Sequence, residues 1–175
     1  MELSRRLVLK YGLAGASVLL LAGTGLALQG TTPREPRQPL QALSSQEFSI
    51  LWALADRMAP AHENFPAAST IEVPERIDSF LASVDPATRG EVKLLLKIVE
   101  NALPGLILDG RVRPFSKCSP ETQDAILEGW RTSSISARRT IFKALNNLVA
   151  ATYYGSPETY AAVGYPGPPN YGNLK

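Results

Sequence analysis

The sequence predicts an all-α fold: a small bundle of five or six helices with an irregular, Pro/Tyr-rich C-terminal tail. Three observations predict it. Beyond residue 44, apolar residues recur at three- and four-residue spacings in each periodic stretch, and none alternates with the period of two that a half-buried strand needs. Those stretches open on Ser, Asp and Pro and close on Gly or Pro, the usual start and stop chemistry of helices. The chain of 175 residues is 45% hydrophobic, enough for one core at a single-domain length.

The helical domain is expected over residues 44–163. Ser44 and Glu47 have the spacing of a capping box, in which hydroxyl and carboxylate each take an orphan amide of the first turn. Phe48, Leu51, Trp52, Ala55 and Met58 follow as a buried stripe, and Pro60 ends the helix. Residues 61–71 read as a loop holding His62 and Glu63. Val73-Pro74-Glu75 restarts a helix, since proline suits the first turn. Its expected stripe is Ile77, Phe80, Leu81 and Val84. Glu72, Glu75 and Asp78 near its start complement the positive end of the helix dipole; an acid/base pair is the alternative. Asp85 caps the next helix and Pro86 takes its first position. That helix runs to about Leu103, with Val92, Leu95, Leu96, Val99, Ala102 and Leu103 inward and Lys93, Lys97 and Glu100 outward. Pro104-Gly105 breaks it, and residues 106–115 are irregular, with a turn at Asp109-Gly110. Ser119-Pro120-Glu121 starts a helix carrying Ala125, Ile126, Leu127 and Trp130; Gly129 and the cluster Thr132 to Ser134 end it. The longest helix, from Ser136 to Tyr154, places Ile141, Phe142, Leu145, Leu148, Val149, Thr152 and Tyr153 on one face. Gly155 is its expected left-handed stop. Ser156-Pro157-Glu158 opens a short last helix with Tyr160 and Val163. Pro166, Pro168 and Pro169 exclude a helix or central strand from the tail, residues 164–175.

Residues 1–29 have the layout of an export signal: a basic start, an uncharged run from Tyr11 to Leu28, and small residues near its end. Ser4-Arg5-Arg6-Leu7-Val8-Leu9-Lys10 resembles the twin-arginine pattern, a receptor-read address, with Val8 where that pattern usually has Phe. Arg5 and Arg6 are the targeting residues. The twin-arginine resemblance implies periplasmic export, by the twin-arginine translocase, of a protein already folded in the cytoplasm. An ordinary secretory signal is the alternative route. Cleavage is expected after Ala27. Retention as an uncleaved membrane anchor is the alternative, although the run is near the ~20-residue lower limit and its glycines weaken it as a helix. Residues 30–43, with Pro33, Pro36 and Pro39 among Arg34, Glu35 and Arg37, read as a solvated, extended linker.

Composition excludes several classes. The formal net charge is +2, and removing Arg5, Arg6, Lys10 and Glu2 with the signal leaves acidic and basic residues equal in number. Nucleic-acid binding, which needs a basic surface, is not expected. One histidine, His62, and one cysteine, Cys118, give no zinc-ligand spacing and no Cys-bound iron–sulfur cluster. No Gly-rich phosphate loop is present. No cofactor or metal is therefore expected in this chain. A free-standing periplasmic enzyme of the Ser–His–Asp type would have to use His62, in a proline-flanked loop.

The motifs resemble those of the small subunit, called subunit 3 or gamma, of gluconate 2-dehydrogenase-type enzymes. They are the helix from Leu43 to Pro60 ending in Ala-Asp-Arg-Met-Ala-Pro; Arg76-Ile77-Asp78-Ser79-Phe80-Leu81; Pro114-Phe115-Ser116; and Phe142-Lys143-Ala144-Leu145. Thr152-Tyr153-Tyr154-Gly155-Ser156-Pro157 and Gly164-Tyr165-Pro166-Gly167-Pro168 complete the set. None is a catalytic motif. The resemblance implies a non-catalytic accessory subunit paired with a large FAD-dependent dehydrogenase of the glucose–methanol–choline type, which oxidises a sugar, sugar acid or alcohol. In many such systems a cytochrome c or similar carrier takes the electrons. It further implies that this chain supplies the signal for a flavin-loaded pair and supports the folding and stability of the flavoprotein. FAD is expected in the partner. Association with the membrane would come through the partner or through an uncleaved signal. The competing function is a membrane-tethered periplasmic scaffold or binding module unrelated to redox chemistry.

An interface is expected where tyrosines gather. Tyr153 and Tyr154, about 100° apart on a helix, cannot both point inward. Tyr154, Tyr160, Tyr165, Pro166 and Tyr171 are the candidate contact residues, because tyrosine offers large area with few rotatable bonds. The loop at residues 106–115 is the alternative surface. Cys118, just before a helix start, is expected as a partly buried thiol. A disulfide to another subunit is the alternative for a lone cysteine in an oxidising compartment.

Overall fold

The computed structural model describes residues 32–101 and 113–168. Among them are six α-helices and no strand: α1 (Ser45–Met58), α2 (Val73–Ser83), α3 (Pro86–Glu100), α4 (Pro120–Arg131), α5 (Ser136–Tyr154) and α6 (Pro157–Tyr160). A single 3-10 turn, Phe115–Lys117, precedes α4. The expected all-α bundle is the observed one.

The caps read from sequence set the helix starts. The Ser44 hydroxyl accepts from the Glu47 amide while the Glu47 carboxylate accepts from the Ser44 amide at 2.9 Å, closing the capping box. Asp85 accepts from the amides of Ala87 and Thr88, and Ser119 from that of Thr122. Arg89, on the first turns of α3, closes the end of α2 by donating to the carbonyls of Leu81, Ala82 and Val84. That places a cation where the negative helix end favours one.

Helices α1 and α5 are central. α1 touches α2, α3, α4, α5 and the 3-10 turn, and α5 touches all five other helices. Phe48, Leu51 and Leu54 of α1, Ile77 and Leu81 of α2, Leu96 and Val99 of α3, Phe115, Trp130 of α4, and Leu145 and Val149 of α5 share one core. Each such side chain contributes about 1.5–3 kcal/mol by leaving water.

Several expectations are corrected. Phe80, expected on the buried stripe of α2, is 51% exposed, whereas Asp78 is buried. Glu100 was placed on the solvent face of α3 but is buried; its carboxylate accepts from the amide (2.9 Å) and the hydroxyl (2.7 Å) of Ser116. Ala125 is exposed and Gln123 takes the inward place on α4, its side-chain amide donating to the Phe115 carbonyl. Helix α3 stops at Glu100, short of Leu103. Gly155 stops α5 in right-handed geometry (φ −76°, ψ −6°); positive φ is found instead at Gly164 (+68°) and Gly167 (+95°).

The proline-rich stretch before α1 is not a solvated tether where it is described. It lies as a strap across the bundle. The Thr32 amide donates to the Ser116 hydroxyl at 3.2 Å, and the Thr32 hydroxyl to the Ser116 carbonyl at 3.1 Å. The Arg34 amide donates to Ser49 of α1 at 3.0 Å, and the Arg37 amide to Glu75 of α2 at 3.4 Å. Asp78 then accepts the amides of Gln41 (2.7 Å), Ala42 (3.0 Å) and Leu43 (2.7 Å). The buried acceptors that hold the strap lie 15 to 84 residues away, and no local pattern displays them.

Candidate partner-binding surface

No described group of three or more His, Cys, Asp or Glu residues could hold a metal ion. His62 is exposed on its loop, where its backbone pairs with Phe65 in an isolated bridge. Among the described residues, the aromatic end of α5 forms a surface with an adjoining cavity.

There the helical 100° step separates two tyrosines. Tyr153 is 3% exposed, and its hydroxyl donates to the Pro66 carbonyl at 2.6 Å, pinning the 59–66 loop to α5. Burial, with Tyr154 beside it, pushes the Tyr153 phenol above its ordinary range, so it stays a neutral donor. Tyr154 is 54% exposed and stands edge-to-face with Tyr153, ring centroids 5.2 Å apart. With Met58, Pro60, His62, Phe65 and Ala150 the pair lines an open, largely apolar cavity of about 210 Å³.

The chain then turns sharply. Ser156 and Thr159 are fully buried and return their hydroxyls to carbonyls of the α5 end: Ser156 to Thr152, Thr159 to Tyr153. The Tyr160 hydroxyl donates to the Gly155 carbonyl at 3.0 Å, which ties it to the residue following Tyr154. Gly164 reverses the backbone, so that the Tyr165 amide donates to the Tyr160 carbonyl and the two rings meet edge-to-face at 5.0 Å. Gly167 packs beside the Tyr160 ring. Tyr154, Tyr160 and Tyr165 are thus gathered at one end of the bundle, with Pro166 exposed next to them. Tyr171 lies outside the described residues, as do Arg5, Arg6 and most of the 106–115 loop.

Sequence reasoning missed three residues that line the cavity, and two exposed apolar residues elsewhere. Met58, the last residue of α1, and Pro60 and Phe65, on the loop bonded to α5 through Tyr153 and Pro66, line the cavity. Val163 is 46% exposed on the last turn. Phe80 stands on α2 one turn beyond Arg76, whose guanidinium bonds Glu158 of α6 at 2.6 Å. The only sequence signal for Phe80 is that Asp78 and Phe80 cannot both face inward on the stripe through Ile77 and Leu81.

Cys118 is half-buried. Its thiol lies 3.4 Å from the Pro114 carbonyl, on the wall of a polar cleft of about 180 Å³ shared with Arg34, Ser49, Trp52 and Arg57. Arg34 sits over the Trp52 ring at 6.0 Å.

The model of the family described as Gluconate 2-dehydrogenase subunit 3 matches residues 45–167. The chain belongs to the gluconate 2-dehydrogenase subunit 3 family. Comparison with curated proteins and with solved structures gives no match. The subunit 3 match starts at the first residue of α1 and ends at Gly167, beyond the Tyr160–Tyr165 turn. It therefore contains all six helices and the described tyrosine surface, and leaves the strap outside. The family is that of one subunit of a dehydrogenase, hence of a complex with other subunits.

Proposed function

We propose that this chain is the non-catalytic accessory subunit of an exported FAD-dependent dehydrogenase acting on a sugar, sugar acid or alcohol. It supplies the twin-arginine signal and stabilises the flavoprotein subunit, which holds the FAD. The observation that carries this reading is the family match over residues 45–167. The tyrosine surface supports a protein partner: it combines exposed aromatic rings held rigid by buried hydroxyl bonds with an adjoining apolar cavity. Cys118 acts as a half-buried thiol rather than a link to another subunit, in keeping with its bond to the Pro114 carbonyl.

The test is co-purification with an FAD-dependent flavoprotein from the cells that make this chain. Truncation after Gly164 removes Tyr165 and leaves all six helices, so helical circular dichroism should persist while partner capture falls about tenfold or more. Loss of flavin or solubility in the large subunit when this chain is deleted supports the accessory role. A redox cofactor bound stoichiometrically to the isolated chain would overturn it.

A further inference from the structure

The strap is held mainly by its backbone amides. Between residues 32 and 39 its side chains are exposed or half-exposed, so that part buries little apolar surface, whereas Leu40 and Ala42 pack against the core and Leu43 belongs to it. It is fixed instead by backbone amides donated to side-chain acceptors on three separate elements: Ser49 on α1, Glu75 and Asp78 on α2, and Ser116 on the 3-10 turn. Ser116 is itself set by the buried carboxylate of Glu100 on α3. These acceptors converge only when α1, α2, α3 and the turn have packed. Glu75 adds a further sign of a closing contact. It is buried, gives one oxygen to the Arg37 amide, and its Oε2 has no partner in the structure. A segment fixed by few polar bonds and little apolar area belongs to the low-stability end of a fold, and can open without unfolding the core.

We propose that residues 32–39, ahead of the core-packed Leu40, Ala42 and Leu43, are a clasp that closes only on the completed bundle and so makes the reach of the N-terminal segment depend on folding. With the clasp closed, that segment leaves the domain at Thr32, beside Ser116. With the clasp open the chain is fixed only from Leu40 onward, and the released stretch adds roughly 28 Å of reach at about 3.3–3.6 Å per residue. This assignment rests on the export reading only for what the segment carries; the closure itself does not depend on it.

Trypsin is the probe, because Arg34 and Arg37 lie inside the clasp. The full-length chain is digested briefly and cleavage after each arginine is followed by mass spectrometry. Both bonds should be protected in the native protein. Asp78→Asn replaces an acceptor oxygen with a donor facing three amides, and should speed cleavage at Arg37 about tenfold or more with the helical signal unchanged, since cleavage follows the open population. Ser49→Ala is compatible with the helix and keeps the assay readable if the Asp78 variant fails to fold. It should expose the Arg34 bond while Arg37 stays protected. Native cleavage at both bonds as fast as in the urea-unfolded chain, or an unchanged rate in the Ser49 variant, overturns the clasp. Export of a chain with Arg5 and Arg6 replaced by Lys is measured separately. Normal export there, with the bonds protected, refutes the twin-arginine reading and leaves the clasp standing.

Discussion

Glu47 shows how one side chain serves several ends. Its carboxylate closes the cap of α1 and also takes Lys93 at 3.4 Å and Lys97 at 3.2 Å from α3. Burial raises its pKa, but the bonds from the Ser44 amide, Lys97 and the Ser44 hydroxyl, with the charge of Lys93, outweigh burial and hold it below the usual 4.5. A depressed folded value means that ionisation stabilises the native state. The contribution is complete above about 4.5 and is lost as pH falls through the folded value. Glu47→Gln should cost about 1–2 kcal/mol at neutral pH, from the weakened cap and lost pairing. In urea titrations across pH, the gap between wild type and variant should shrink steadily below 4.5. A gap independent of pH would show that ionised Glu47 contributes no stability.

At the scale of elements, the caps were legible because they are local: Ser44 and Glu47, Asp85 with Pro86, and Ser119 with Pro120 act within one turn. The faces were partly legible. The stripe on α5 through Leu145, Val149 and Tyr153 follows its period, whereas α2 and α3 each bury a carboxylate whose partners come from elsewhere in the chain. The glycines give a direct test of how each helix is packed. A Cβ at Gly90 or Gly129 would meet nothing within 4 Å, so alanine there should stabilise by about 0.5–1 kcal/mol through helix propensity. A Cβ at Gly155 would lie 2.8 Å from the Ala151 carbonyl oxygen, so alanine there should destabilise by about 1–3 kcal/mol. Melting temperatures that rise for the first two variants and fall for the third are the expected result. A rise for Gly155→Ala would mean that the α5 end relaxes freely.

For the whole molecule, the bundle presents a rigid aromatic end at α5 and α6 and a strap whose first described residue is fixed at Ser116. Arg5 and Arg6 lie beyond that anchor, and the proposed export depends on them. A guanidinium pair offers fixed, planar recognition that ammonium groups do not. Replacing both by Lys should therefore leave this chain and its flavoprotein in the cytoplasm, read by cell fractionation. Normal periplasmic appearance of both would remove the twin-arginine route. Among the described residues no helix is long and apolar enough to cross a membrane, so any membrane-spanning anchor in this chain would have to lie outside them.

The sequence by itself determined the helical class, the starts of α1, α3 and α4, the length of α5 and the family resemblance, because periodicity, caps and motif order are properties of neighbouring residues. It also separated Tyr153 from Tyr154, since the helical step leaves no choice. Tertiary structure alone decided that Phe80 faces out, that Asp78 and Glu100 face in, and that residues 32–43 lie bound across the bundle. The reason is physical. The Asp78 and Glu100 carboxylates are buried where amides and a hydroxyl converge to satisfy them, and those donors come from segments up to tens of residues away, brought together by the same packing that the carboxylates then complete.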